Sequence, residues 1–121
     1  MTTMLTRDAI LGASDLPREL VEVPEWDGSV YVATMTGTER DAFEAAILDL
    51  KRKGAARVNL ENVRAKLLVR VLVDASGNRL FSDADADVLG RKSAAALDRL
   101  WAVAQRLNAM TDRDVEDLRK N

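Results

Sequence analysis

The spacing of apolar residues becomes helical from Thr36 of this 121-residue chain, and that change constrains the fold more than any other feature. Before it, Arg18-Glu-Leu-Val-Glu-Val23 alternates charged and apolar residues for part of its length, and Ser29-Val-Tyr-Val-Ala-Thr-Met35 is rich in strand formers. Pro24-Glu-Trp-Asp-Gly28 lies between them as a turn. Two short strands around an Asp-Gly turn predict a β-hairpin over residues 18–36. Leu20 and Val30 or Val32 are expected on one face, with charges on the other. A lone hairpin is marginal in water, so it must pack on the rest of the chain.

After Thr36 the period is helical. Thr36-Gly-Thr-Glu39 has capping-box spacing, with Thr38 as the other candidate cap. Phe43, Ala46, Ile47 and Leu50 then fall on one face of a helix of about 15 residues. Lys51-Arg-Lys53 suits its last turn and Gly54 its end. Asn59–Val73 is a second helix with the stripe Leu60, Val63, Leu67 and Val71, widened by Leu68 and Leu72, and it should form the centre of the core. Its apolar end, Leu67-Leu-Val-Arg-Val-Leu-Val73, has a buried strand as the alternative, and its last residues are expected to unwind. Asp74-Ala-Ser-Gly-Asn78 is a strong turn leading to a brief strand, Arg79-Leu-Phe81. Ser82-Asp-Ala-Asp85 then caps a short helix that Gly90 stops.

Lys92 to Asn108 is the clearest helix, with Ala94, Leu97, Leu100, Trp101, Ala104 and Leu107 along one face. Thr111-Asp-Arg-Asp114 caps a final short helix carrying Val115 and Leu118. The expected fold is therefore mainly α (α+β): four to five helices with an N-terminal hairpin. One domain is expected over 1–121, comprising a partly flexible segment 1–17 with a short helical turn at Asp8–Leu11, the hairpin 18–36 and a helical body 37–121.

Composition removes several kinds of chemistry. Cysteine is absent, which excludes disulfides and thiolate metal sites and suits a reducing compartment. Histidine is absent too, which removes the commonest general base near neutral pH and the commonest metal ligand. No run of about 18 apolar residues exists to span a membrane, and the first residues do not form a signal peptide. Net charge is −2, and residues 1–36 carry two basic against six acidic side chains. No strong cationic field follows, so nucleic-acid binding is not expected; the acidic hairpin region suits a solvated edge more than a basic partner.

Constellations that resemble active sites fail on spacing. Asp83, Asp85 and Asp87 begin like a calcium loop, but Val88 and Ala94 occupy the positions that require Gly and Glu. Helix capping explains these carboxylates better. No phosphate-loop pattern occurs, and Ser93 points to a different helix face from Lys92, its neighbour, leaving an N-cap role or exposure. Arg64, Arg70, Arg99 and Arg106 are expected on solvated helix faces, where they could pair with acidic residues. No cofactor or metal site and no catalytic residue emerges.

What remains is a surface. Trp26 sits in the hairpin turn, either folded back on the strands or exposed as an interface anchor, whereas Trp101 belongs to a core stripe. Tyr31 on the hairpin, and Leu107, Met110, Val115 and Leu118 near the C-terminus, are further candidate protein-binding residues.

Several stretches together resemble the tail assembly chaperones of long-tailed siphophages and related prophages. They are Glu22-Val-Pro-Glu-Trp-Asp-Gly28, Thr36-Gly-Thr-Glu-Arg-Asp-Ala-Phe43 and Asn62-Val-Arg-Ala-Lys-Leu-Leu68. Val73-Asp-Ala-Ser-Gly-Asn-Arg-Leu-Phe81, Leu89-Gly-Arg-Lys-Ser-Ala-Ala-Ala-Leu-Asp-Arg-Leu100 and Ala104-Gln-Arg-Leu-Asn108 complete the set. Their order and spacing from about residue 10 onward carry the resemblance. It implies a non-enzymatic protein of the host bacterial cytoplasm that binds the tape-measure protein, helps recruit tail-tube protein and is absent from the finished virion. It also implies that a frameshifted, longer form exists in many relatives; self-association is left open. The alternative is a structural virion protein, such as a head–tail connector or tail-completion subunit. A DNA-binding regulator would need a basic recognition helix, and the Arg64–Arg70 helix is too apolar for one.

Overall fold

The computed structural model describes residues 3–49, 57–58 and 62–110. The elements run α1 (Arg7–Leu11), β1 (Arg18–Val23), β2 (Gly28–Ala33), α2 (Gly37–Ile47), β3 (Leu48–Asp49), β4 (Arg57–Val58), α3 (Val63–Val71), β5 (Leu72–Val73), α4 (Ala86–Leu89) and α5 (Ala94–Leu107). The fold is mixed α+β and mainly helical. β1, β2 and β5 form an antiparallel sheet with β2 in the middle, and β3 pairs with β4.

The hairpin forms as expected, but its loop differs. Val23 pairs with Gly28, so Gly28 already belongs to the strand. Pro24–Trp26 make one 3-10 turn, and Asp27 adopts the left-handed conformation (φ 55°) that closes it. Proline at the first position presets the φ that the turn needs. The facing also differs from expectation. Leu20 pairs with Tyr31 and is 57% exposed, while Val21 and Val23 are buried and Val32 is fully so. Glu19, not Leu20, stands opposite Val32. The strand tolerates a carboxylate there because Arg106 of α5 supplies two hydrogen bonds to it, at 2.7 and 2.8 Å.

At the start of α2, Thr36 rather than Thr38 is the cap. Its hydroxyl accepts from the Glu39 amide (3.1 Å), and the Glu39 carboxylate accepts from the Thr36 amide (3.0 Å). Phe43 and Ile47 are buried as their spacing predicts, but Ala46 is exposed. The chain leaves the helix after Ile47 for β3, short of the expected length; Leu50 to Gly54 lie outside the described residues.

α3 is the centre of the core, with Leu67, Leu68, Val69 and Val71 fully buried. It packs against α2, α4, α5 and β2. Its end does unwind: Leu72 and Val73 become β5, at the edge of the hairpin sheet. The expected start, Asn59 to Glu61, lies outside the described residues. The following turn is closed by Asp74, whose carboxylate accepts from the Ser76 and Asn78 amides (2.9 and 3.0 Å), with Gly77 at φ 89°. Of the strand expected at Arg79–Phe81, only a single bridge from Arg79 to Val73 exists.

Ser82 and Asp85 form a capping box before α4, and the Ser93 hydroxyl caps α5 by accepting from the Ala96 amide. A Cβ on Gly90 would lie 2.6 Å from the Asn62 side-chain oxygen, so glycine lets the end of α4 approach the start of α3 without displacing that side chain. On α5, Ala96, Leu97, Leu100 and Ala104 are buried; Ala94, expected inward, is exposed because the helix turns Ala96 to the core instead. The final helix expected from Thr111 lies outside the described residues.

Candidate partner-binding surface

Trp26 is half-buried at the hairpin tip and packs against the core cluster. Beside it, Phe81, Val88 and Leu89 complete a groove of about 520 Å³ with Asp85 and Lys92 also in its lining. Val88 is 58% exposed although it belongs to the short helix α4, because only Ala86 and Leu89 of that helix face the core. The groove is thus an apolar surface built from the hairpin tip, the segment before α4, and α4 itself. Its chemistry suits the exclusion of water from a partner's apolar side chains.

The tip is held by a salt bridge. Arg99 of α5 donates to both carboxylate oxygens of Glu25, at 2.6 and 2.9 Å. These hydrogen bonds, with help from the backbone and the guanidinium charge, bring the Glu25 pKa from 4.5 down to about 2. One helix turn pair further along, Arg106 holds Glu19 in the same way. Both arginines lie on exposed faces and pair with acidic residues, as expected, and their partners join the hairpin to α5. Arg64 likewise pairs with Asp98. Arg70 departs from that expectation, since it is only 7% exposed and lies beside Asp83 at 3.4 Å.

The acidic trio behaves as capping and pairing groups. Asp85 closes the Ser82 box, Asp83 accepts from Arg79 at 2.7 Å, and Asp87 accepts from the Asn62 side chain at 3.1 Å. Among the described residues no group of His, Cys, Asp or Glu is arranged to hold a metal ion, and no helix is long and apolar enough to cross a membrane.

The other residues singled out in the sequence are scattered. Tyr31 is half-buried on the opposite face of the hairpin from Val21, with the Arg18 guanidinium 4.3 Å above its ring centre. Leu107 is half-buried against the core and Met110 is buried, so Met110 presents little surface. Val115 and Leu118 lie outside the described residues. Phe81 and Val88 were missed as surface groups. For Val88 the signal was the brevity of the helix after Ser82, too short to bury both sides.

Residues 6–121 match the sequence model of a family described as phage tail assembly chaperone. The chain belongs to the phage tail assembly chaperone family. No curated protein and no solved structure matches it. The match covers both the hairpin and the described helices, and the groove between the hairpin tip and α4 lies wholly inside the matched residues. Assembly chaperones act in general terms by binding rather than by catalysis, and an apolar groove is a surface suited to binding.

Proposed function

We propose that this tail assembly chaperone is not an enzyme and that it works in the host cytoplasm. It binds the tape-measure protein before the tail tube covers it, helps recruit tail-tube subunits, and is left out of the finished virion. The observation that carries this reading is the apolar groove walled by Trp26, Phe81 and Val88, whose hairpin tip is locked by the Glu25–Arg99 pair. A long helical protein awaiting its tube exposes apolar faces, and a preformed groove can cover them by taking anchor side chains from one helix face. Single contacts of this size are weak, so many copies along one tape-measure chain would act together. Tyr31 and Leu107, both half-buried, and Val115 and Leu118 are secondary contacts in this reading.

Co-expression with the cognate tape-measure protein tests it. The chaperone should keep that protein soluble and co-purify with it, and Trp26→Ala or Val88→Asp should weaken both effects without changing the chaperone's own fold. Unchanged solubility with and without the chaperone overturns the proposal. Mass spectrometry of purified virions should not find the chain; stoichiometric recovery would make it a structural subunit instead.

A further inference from the structure

A second cleft, of about 220 Å³, lies at the opposite end of β1 from the hairpin tip, and its lining is unusual in charge. Arg18, Arg70 and Arg79 all contribute to it, with Glu39 as its acidic group and Leu16, Ala33 and Val73 among its apolar walls. Among the described residues the three guanidiniums are poorly matched by carboxylates. Arg18 donates to the Asp74 and Ala75 carbonyls (3.4 and 2.9 Å) and lies over Tyr31, and among the described residues it has no carboxylate partner. Arg79 and Arg70 share the single carboxylate of Asp83, at 2.7 and 3.4 Å. Glu39 is already engaged by the Thr36 amide in its capping box.

Arg70 makes the imbalance costly. Its guanidinium is nearly buried and donates to the Lys66 carbonyl at 2.6 Å. Burial pushes its pKa down, Asp83 opposes this, and Arg79 adds to it. A buried cation that shares its counter-ion is a poor stabilising device, since an apolar side chain of similar volume is often as good or better. Such a group is explained when a further anion completes it.

We propose that this cleft is a binding site for carboxylate groups, taken from an acidic, partly apolar segment of a partner protein. Paired guanidiniums match carboxylates in forked geometry, and the apolar walls, continued by the exposed Leu20 beside Tyr31, accept neighbouring aliphatic side chains. A nucleic acid fits less well, because the cleft is small, its walls are mixed, and the chain as a whole carries −2. The site is separate from the Trp26 groove and does not depend on the tape-measure protein being the partner.

Titration calorimetry on the full chain tests the proposal with a synthetic amphipathic peptide of about twenty residues, long enough to form a helix. Leu and Glu occupy its two faces, and the control peptide carries Gln for every Glu. At low salt the Glu peptide should bind at least about tenfold more tightly than the Gln peptide, and the difference should shrink at about 1 M salt, where charges are screened beyond roughly 3 Å. Arg18→Gln and Arg70→Met should each weaken the Glu peptide about tenfold, with the circular dichroism spectrum unchanged, whereas Arg91→Gln, an equal loss of charge elsewhere, should not. Should Arg70→Met fail to fold, the exposed Arg18→Gln still decides. Equal binding of the two peptides, or affinity that ignores both variants, overturns the proposal. Inorganic phosphate displacing the peptide only weakly supports a protein carboxylate as the ligand; phosphate or single-stranded DNA binding more tightly than the Glu peptide overturns that choice.

Discussion

The seam between the hairpin and α5 differs from the cleft at the start of β1 in how charge is matched. At the seam each guanidinium has a carboxylate of its own: Arg99 holds Glu25 and Arg106 holds Glu19. At the cleft, among the described residues, Arg70 and Arg79 divide one Asp83, and Arg18 has carbonyls and a ring but no carboxylate. Matched pairs on a partly exposed seam add little energy but fix where two elements meet. They orient the hairpin so that Trp26 closes the groove. Unmatched cations have the opposite meaning: the fold tolerates them without gaining stability, and they leave attraction over for something outside the chain.

If the seam is held mainly by apolar packing, removing that packing must hurt more than removing its charges. Leu100 of α5 is fully buried, and α5 packs against both α3 and the hairpin strands. Leu100→Ala should cost about 2–5 kcal/mol in urea unfolding, through lost burial and the cavity left behind. A cost below about 1 kcal/mol would mean that the packing at the seam is loose and that the pairs matter more than argued.

The next largest effect belongs to Asn108, just beyond α5. Its side-chain oxygen accepts from the Met35 amide at 2.7 Å, and its amide donates to the Ala104 carbonyl at 2.9 Å and the Ala33 carbonyl at 3.4 Å. Arg40 of α2 adds a bond to the Asn108 carbonyl, at 2.8 Å. One buried side chain thus ties the exit from β2 to the end of α5. Asn108→Leu keeps the volume and orphans the Met35 amide, so it should cost about 1–3 kcal/mol, and hydrogen exchange should quicken at Met35 while the middle of α3 stays protected.

The seam's charges come third, and pH isolates them. Glu25 titrates near 2 in the folded chain instead of 4.5, so it binds fewer protons folded than unfolded. Its contribution is therefore complete above about pH 4.5 and disappears as pH falls towards 2. The melting temperature of the native chain should exceed that of Glu25→Gln by a constant margin near neutral pH, and the margin should close across that window. A margin that persists at the acid end would assign it to packing rather than to the ion pair. Asp83 is lowered in the same direction, chiefly by its hydrogen bond from Arg79, so Glu25→Gln itself should retain some acid sensitivity.

What could be seen in the sequence followed from local rules. The caps at Thr36 and Ser82, the Asp74 turn and, apart from Ala94, the stripe of α5 are set by neighbours within a few residues, and the structure has them where the spacing put them. Trp26 as a candidate surface residue came from the turn around it. The arginines were illegible because their partners are remote: Arg99 finds Glu25, and Arg106 finds Glu19, from the other end of the chain. Arg70 interrupts an apolar run, and sequence alone does not show whether such a residue faces water or is trapped beside a distant Asp. The groove needed Phe81 and Val88 brought beside the hairpin tip, which only tertiary packing can do.

The smallest expected effect tests the facing of the hairpin, on which both surfaces depend. Alternation along Arg18–Val23 allows either set of side chains to turn inward, since Leu20 and Val21 are both apolar. The pairing puts Leu20 beside Tyr31 and away from the buried Val21 and Val23. Leu20→Ser should therefore change stability by no more than about 0.5 kcal/mol, as for most exposed substitutions. Val21→Ser removes buried apolar surface and places a hydroxyl there, so it should cost about 2 kcal/mol. The reverse order would shift the register by one residue and exchange every side chain between the two faces. Glu19 and Arg106 would then separate, Arg18 would leave Tyr31, and neither the locked tip nor the cationic cleft would form.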